Sequence, residues 1–129
     1  MLLEEYLKSG TAYVWKETFA IIKAKKIDSL AFSNIVDQHE ITTILDESRI
    51  DKENVVEIMK GWKIITLDIV FPPNVVGVTA KIATALADAN ISIMPIAAYS
   101  RDHFLIQKES IDKAVTIFEN LGIQMKRLV

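Results

Sequence analysis

The sequence of 129 residues contains no cysteine, which excludes a disulfide framework, a thiolate nucleophile and any zinc or iron–sulfur site built on cysteine. Histidine is nearly as scarce: His39 and His103 are the only two, and neither belongs to an HExxH pair. The four glycines stand singly, so there is no GxGxxG, no Walker loop and no GxSxG elbow. No charge of one sign dominates. A formal net charge of -2 and a pI near 5.7 give no general attraction to phosphate backbones or anionic membranes. Neither nucleic acid nor a membrane is an expected partner. No apolar run approaches the ~20 residues of a membrane span. The opening MLLEEYLKSG carries Glu4 and Glu5 and lacks a basic n-region, so it does not read as a signal peptide. These absences lead to the expectation of a cytoplasmic protein without cofactor or metal.

What is present favours a packed fold over disorder: half the residues are hydrophobic and a quarter charged. The length suits one ordinary domain or two small ones sharing a core. The organising stretch is Val70 to Asn90, VFPPNVVGVTAKIATALADAN. A β-branched run ends at Pro72-Pro73, a loop passes through Asn74-Val75-Val76 to Gly77, and an Ala-rich helix follows. Such a junction leaves backbone N–H groups free at a helix start, where a carboxylate or phosphate is received with few dedicated side chains.

Taken in order, Leu2, Leu3, Tyr6 and Leu7 share one face of a short helix that Ser9-Gly10 ends. Thr11 to Lys25 suits one long bent strand or two strands joined near Lys16-Glu17. Ala31 to Val36 and Glu40 to Leu45 form a hairpin about Asp37-Gln38-His39. Ser48 or Asp51 is then expected to cap a helix carrying Val55, Ile58 and Met59, closed by Gly61. Trp62 to Phe71 is the next strand. Val78, Ile82, Ala85, Leu86 and Ala89 recur at helical spacing after Gly77. Ile91 to Ala98 reads as a strand whose Pro95 argues for an edge or a bulge. His103 to Gln107 is another strand, Ala114, Val115, Phe118 and Leu121 mark a helix that Gly122 terminates, and Ile123 to Val129 is the last strand.

The second half is thus strand, helix, strand, strand, helix, strand, the order of a ferredoxin-like sandwich in the α+β class, with helices on one face of an antiparallel sheet. The first half echoes it: Glu40 and Glu47-Ser48 fall on Asp102 and Glu109-Ser110 at a constant offset of 62. The expected organisation is a degenerate copy over 1–61 and a complete one over 62–129, docked through sheet edges that would otherwise be pairing hazards.

Several side chains are candidates for chemistry. His39 with Glu40, and His103 with Asp102, are neighbours in strand-like segments, where adjacent residues point to opposite faces; solvated turn residues are the preferred reading. Tyr13, Trp15 and Phe19 suit packing better than base stacking, given the acidic net charge. Lys23, Lys25 and Lys26 read as a solvated edge. The loop Asn74, Val75, Val76, Gly77, Val78 is left open between a plain connection, with Asn74 as a cap, and a small anion site of backbone N–H groups.

The segment GVTAKIATALADANISIMPIAAYSRDHFLI resembles the ACT domain, in particular tandem ACT-like proteins related to aspartokinase regulatory regions and to the CASTOR arginine sensors. The matching features are the Gly77-Val78-Thr79-Ala80 helix start, Ile91-Ser92-Ile93, and Asp102-His103-Phe104-Leu105-Ile106. In the first half Phe32-Ser33 and Glu40-Ile41-Thr42 also fit. The resemblance implies a non-catalytic regulatory protein that binds an amino acid between ACT units, a homodimer, and a regulated protein partner. Asn74 to Val78, centred on Gly77, would give backbone contacts to the ligand, and Asp102 would meet its nitrogen. The relatives carry Ser-Thr where this chain has Ala97-Ala98, so Ala98 brings no hydroxyl to that position. The alternative is an ACT-like interaction module that has lost its ligand.

Overall fold

A 14-residue strand, β5 (Val55–Asp68), runs through both structural units of the chain. The computed structural model describes residues 2–128. One unit comprises Met1–Lys16 and Lys63–Val129, the other Glu17–Trp62.

The first unit contains α1 (Leu3–Ser9), β1 (Thr11–Val14), the second half of β5, α2 (Val78–Asp88), β6 (Ile93–Ala97), β7 (Asp102–Gln107), α3 (Ile111–Asn120) and β8 (Gln124–Arg127). From β5 onward this is the strand–helix–strand–strand–helix–strand order expected from sequence. The strands lie in the order β6, β7, β5, β1, β8. β1 is antiparallel to β5, with Thr11 opposite Asp68, and parallel to β8, with Thr11 opposite Gln124. A division at Gly61 would assign β1 to the first copy; in the structure it completes the sheet of this unit. The other departure is the parallel pairing of β1 with β8 in a sheet expected to be antiparallel throughout.

Alternation sets the two faces of that sheet. Ala12 and Val14, Ile65 and Leu67, and Phe104 and Ile106 all point to the helical side, where Leu7, Ile82, Leu86, Ala114 and Phe118 meet them. Ile82 and Leu86 are one helical turn apart, as are Ala114 and Phe118, so each helix buries a single stripe. Phe104 and Phe118 pack edge to face, their centroids 5.8 Å apart.

The second unit holds β2 (Phe19–Ala24), β3 (Ser33–Val36), β4 (Ile41–Asp46) and the first half of β5, in the order β3, β4, β2, β5, all antiparallel. The expected hairpin is β3 with β4. Its small core is Ala20, Ile22, Ala24 and Leu45, with Ala31, Ile41, Ile50 and Val55 packed against it. Lys23 lies in β2, between β4 and β5, and so is not on an edge.

The helix expected over Val55 to Gly61 is absent: those residues are strand. Asp51 does cap, its carboxylate accepting from the Glu53 N–H, but only a single 3-10 turn follows. Val55, Val56 and Ile58 are β-branched and favour the pleated sheet. Gly61 ends no helix. Between the pairs Phe19↔Trp62 and Ile21↔Met59, Ala20 stands opposite both Lys60 and Gly61, a bulge in which Gly61 takes φ +83. The Gly61 N–H donates to Glu47 Oε2 at 2.6 Å. The strand expected from Trp62 to Phe71 thus begins at Val55 and ends at Asp68. The internal repeat survives as a strand and a 3-10 turn, β4 with Glu47–Arg49 and β7 with Lys108–Ser110; the helix that follows exists only in the second case, as α3.

Candidate functional site

Pro72 and Pro73 cannot extend a central strand, and the chain turns there, the Val75 N–H donating to the Pro72 carbonyl at 3.0 Å. Gly77 then occupies the N-cap of α2 in a left-handed conformation, φ +85 and ψ 13, and no side chain caps the helix. Asn74 therefore does not serve as the cap. The first helical bond runs from the Lys81 N–H to the Gly77 carbonyl, so the N–H groups of the first turn have no side-chain acceptor. Asn74, Val76 and Gly77 are exposed, and Val75 and Val78 half-buried; Val78 packs against the core.

Asp102 opens β7 opposite Ala97 of β6 and is half-buried. The β6–β7 turn is closed by the Ala98 N–H donating to the Arg101 carbonyl at 3.0 Å, with Ala98 itself exposed. Arg101 pairs with Asp68 at 2.9 Å. A cleft of about 150 Å³ lies between α2 and the β6–β7 hairpin, lined by Thr79, Pro95, Ile96, Ala97, Asp102, His103 and Phe104. A groove of about 470 Å³ runs along α2 from Gly77 past Lys81 and Thr84 to Asp88, walled by Leu3 and Leu121. Thr79 and Asp102 thus meet in one cavity, while Gly77 lines the other. Asn74, Val75, Val76, Val78 and Ala98 line neither.

Three residues near this site were not picked out from sequence for the role they take. Thr66 is fully buried on β5, on the sheet face away from the helices. The Trp15 indole N–H donates to Thr66 Oγ1 at 2.7 Å, and Thr66 Oγ1 lies 2.8 Å from His103 Nδ1. His103 is thus no solvated turn residue; burial pushes its pKa down, opposed by the nearby Asp102 carboxylate. The only sequence signal was a hydroxyl residue inside the apolar run Ile64-Ile65-Thr66-Leu67. Tyr13 and Trp15 pack against one another, centroids 6.2 Å apart, and His39 is an exposed turn residue as expected.

Among the described residues, no three His, Cys, Asp or Glu side chains cluster so as to hold a metal ion, and no helix is long and apolar enough to cross a membrane. The helix start at Gly77 and the Asp102 carboxylate thus open onto different cavities, the groove along α2 and the cleft beside the β6–β7 hairpin.

The model of the ACT domain family matches residues 57–120. A protein of Agrobacterium tumefaciens has the same fold, with 16% identity over 93% of this chain and 94% of its own, at a TM-score of 0.80. A Vibrio cholerae protein of unknown function, described as a possible transport protein, is 23% identical over 93% of this chain and 95% of its own, TM-score 0.77. The regulatory subunit of aspartate kinase from Thermus thermophilus, in its ligand-free form, is 13% identical over 89% of this chain and 97% of its own, TM-score 0.67. At these identities the likeness shows the fold. No curated protein matches the chain.

Proposed function

The chain is an ACT-domain protein, its family pattern lying over residues 57–120, and on that premise we propose that it is a non-catalytic cytoplasmic sensor of a free amino acid, acting on a protein partner as a homodimer. The observation that carries this reading is the uncapped start of α2 at Gly77 with Asp102 beside its first turn at Thr79. The amides of Asn74 to Val78 would receive the α-carboxylate, and Asp102 the ligand nitrogen, through charge-assisted bonds. Gly77 and Asp102 line separate cavities in the single chain, which supports a site completed by a neighbouring ACT unit. Binding there would shift a population of assembly states.

Isothermal titration against the proteinogenic amino acids tests the reading. One of them is expected to bind, with affinity lowered about tenfold or more by Asp102→Asn, the loss of a charge-assisted bond, and lowered also by Gly77→Val. Silence across the whole set would overturn it. One observation favours a second reading, an interaction module without ligand: Ala97 and Ala98 are exposed and carry no hydroxyl beside Asp102. A stoichiometric partner bound with no amino acid present is the expected result in that case.

A further inference from the structure

Edge strands present a row of unpaired N–H and C=O groups, and folds blunt them with proline, charge or a bulge. The outer strands of the first unit are treated in this way: β6 carries Pro95 at its centre, and β8 carries Lys126 and Arg127. β3 is treated differently. Among the described residues it ends the strand order of the second unit and pairs with β4 alone. It has no proline and no bulge against β4, and it closes an uncharged run of eight residues, Ser29 to Val36. The apolar side chains there face outward: Ile35 is 42% exposed, Val36 60% and Leu30 72%.

We propose that β3 pairs antiparallel with the β3 of a second copy about a two-fold axis, joining two chains edge to edge. The charge pattern selects a second copy as the occupant. In an isologous contact residues near the axis face their own kind, and like charges set opposite one another destabilise a strand pair. A run without charge meets this requirement, and a charged partner strand would find nothing to answer it. With the axis at Ile35, Ile35 stands opposite its own counterpart and Asn34 opposite Val36. Asp37, the first charge beyond the strand, then falls opposite Ser33 and not opposite another carboxylate. Its carboxylate is engaged in its own turn, accepting from the His39 and Glu40 N–H groups at 2.7 and 3.0 Å. The paired strands would cover Ile35 and Val36 and supply partners for the outer backbone groups of β3.

This inference rests on the homodimer reading above and names the surface that makes the dimer. The test measures solution mass by light scattering at about 100 μM, where mass action favours a dimer of micromolar affinity. The wild type is expected to be a dimer, and Ile35→Lys a monomer with an unchanged circular dichroism spectrum. Because the chain has no cysteine, single substitutions report contact directly: Ile35→Cys is expected to oxidise to a cross-linked dimer, and Gln124→Cys on β8 to stay uncross-linked. A monomeric wild type overturns both the homodimer and the edge. A dimeric wild type with cross-linking at Gln124→Cys and none at Ile35→Cys overturns the edge alone. Should Ile35→Lys fail to fold, the cysteine pair still decides.

Discussion

Thr66 Oγ1 lies 2.8 Å from His103 Nδ1 while accepting the Trp15 indole N–H at 2.7 Å, so one buried hydroxyl ties β5 to β7 and to the end of β1. An indole N–H only donates and takes one lone pair of the oxygen. The hydroxyl keeps its proton and a second lone pair, so it meets Nδ1 of the neutral ring as donor or as acceptor according to the tautomer. A charged His103 can only donate to that oxygen.

Replacing that hydroxyl with a methyl is therefore expected to destabilise the fold although shape and apolarity are kept. Thr66→Val should cost about 1 to 3 kcal/mol, the range for a buried partner lost from a hydrogen bond, and Thr66→Ser distinctly less. Urea denaturation with an unchanged m-value would check it. A valine variant as stable as the wild type would mean that the chain of bonds contributes nothing.

His103 also gives stability a pH dependence. Burial lowers its pKa in the fold below the ordinary value of 6.5, with Asp102 opposing. The unfolded chain then binds more protons than the folded one between the two pKa values, so stability rises with pH across that window. The contribution is full above about 6.5 and is lost as pH falls toward the folded value. Urea midpoints taken from about pH 7.5 to about pH 5.5 should fall for the wild type and stay flatter for His103→Gln.

Gly77 separates backbone cost from steric cost. A Cβ built there meets nothing within 4 Å, yet φ is +85. Gly77→Ala should lose about 1 to 2 kcal/mol through the left-handed conformation alone, and Gly77→Asn, which tolerates that region, clearly less. Equal thermal midpoints for the two variants would show that the helix start adopts another conformation in solution.

What local pattern carries was readable in advance. Ile82 with Leu86 and Ala114 with Phe118 mark α2 and α3 by spacing alone, and the proline pair and Gly77 mark the loop between β5 and α2. Val55, Ile58 and Met59 misled because their spacing satisfies a helix as well as a bulged strand. The choice is made by pairing with Ala24, Ile22 and Ile21 of β2, far away in the chain. The insertion of β1 between β5 and β8 is likewise a matter of non-local register. At the site, the special backbone of Gly77 was legible, but its separation from Asp102 was not. It depends on which side of α2 each residue of the first turn faces, Gly77 toward the groove and Thr79 toward the cleft. In sequence the neighbour of His103 is Asp102, whereas Thr66, which its Nδ1 meets, lies 37 residues away.

The missing helix of the second unit leaves its loops to be held by side-chain amides, and Asn54 is the sharpest case. It is 7% exposed. Its Oδ1 accepts from the Lys25 and Lys26 N–H groups at 3.1 and 2.9 Å, and its Nδ2 donates to the Lys26 carbonyl at 3.0 Å. Lys25 N–H also reaches the Asn54 carbonyl at 3.0 Å, so it keeps one partner in any variant. Asn54→Leu would leave the Lys26 N–H and carbonyl without these bonds, at a cost of about 2 to 6 kcal/mol, taking two groups at about 1 to 3 kcal/mol each. Asn54→Asp should also destabilise, because a carboxylate would face the Lys26 carbonyl where an amide now donates. Hydrogen exchange at Lys26 is the direct readout: its amide should lose protection in both the Leu variant and, to a smaller extent, the Asp variant, whose remaining acceptor still reaches it. Protection unchanged in Asn54→Leu would show that the loop is held by packing of Ala31 and Ile50 and not by the amide.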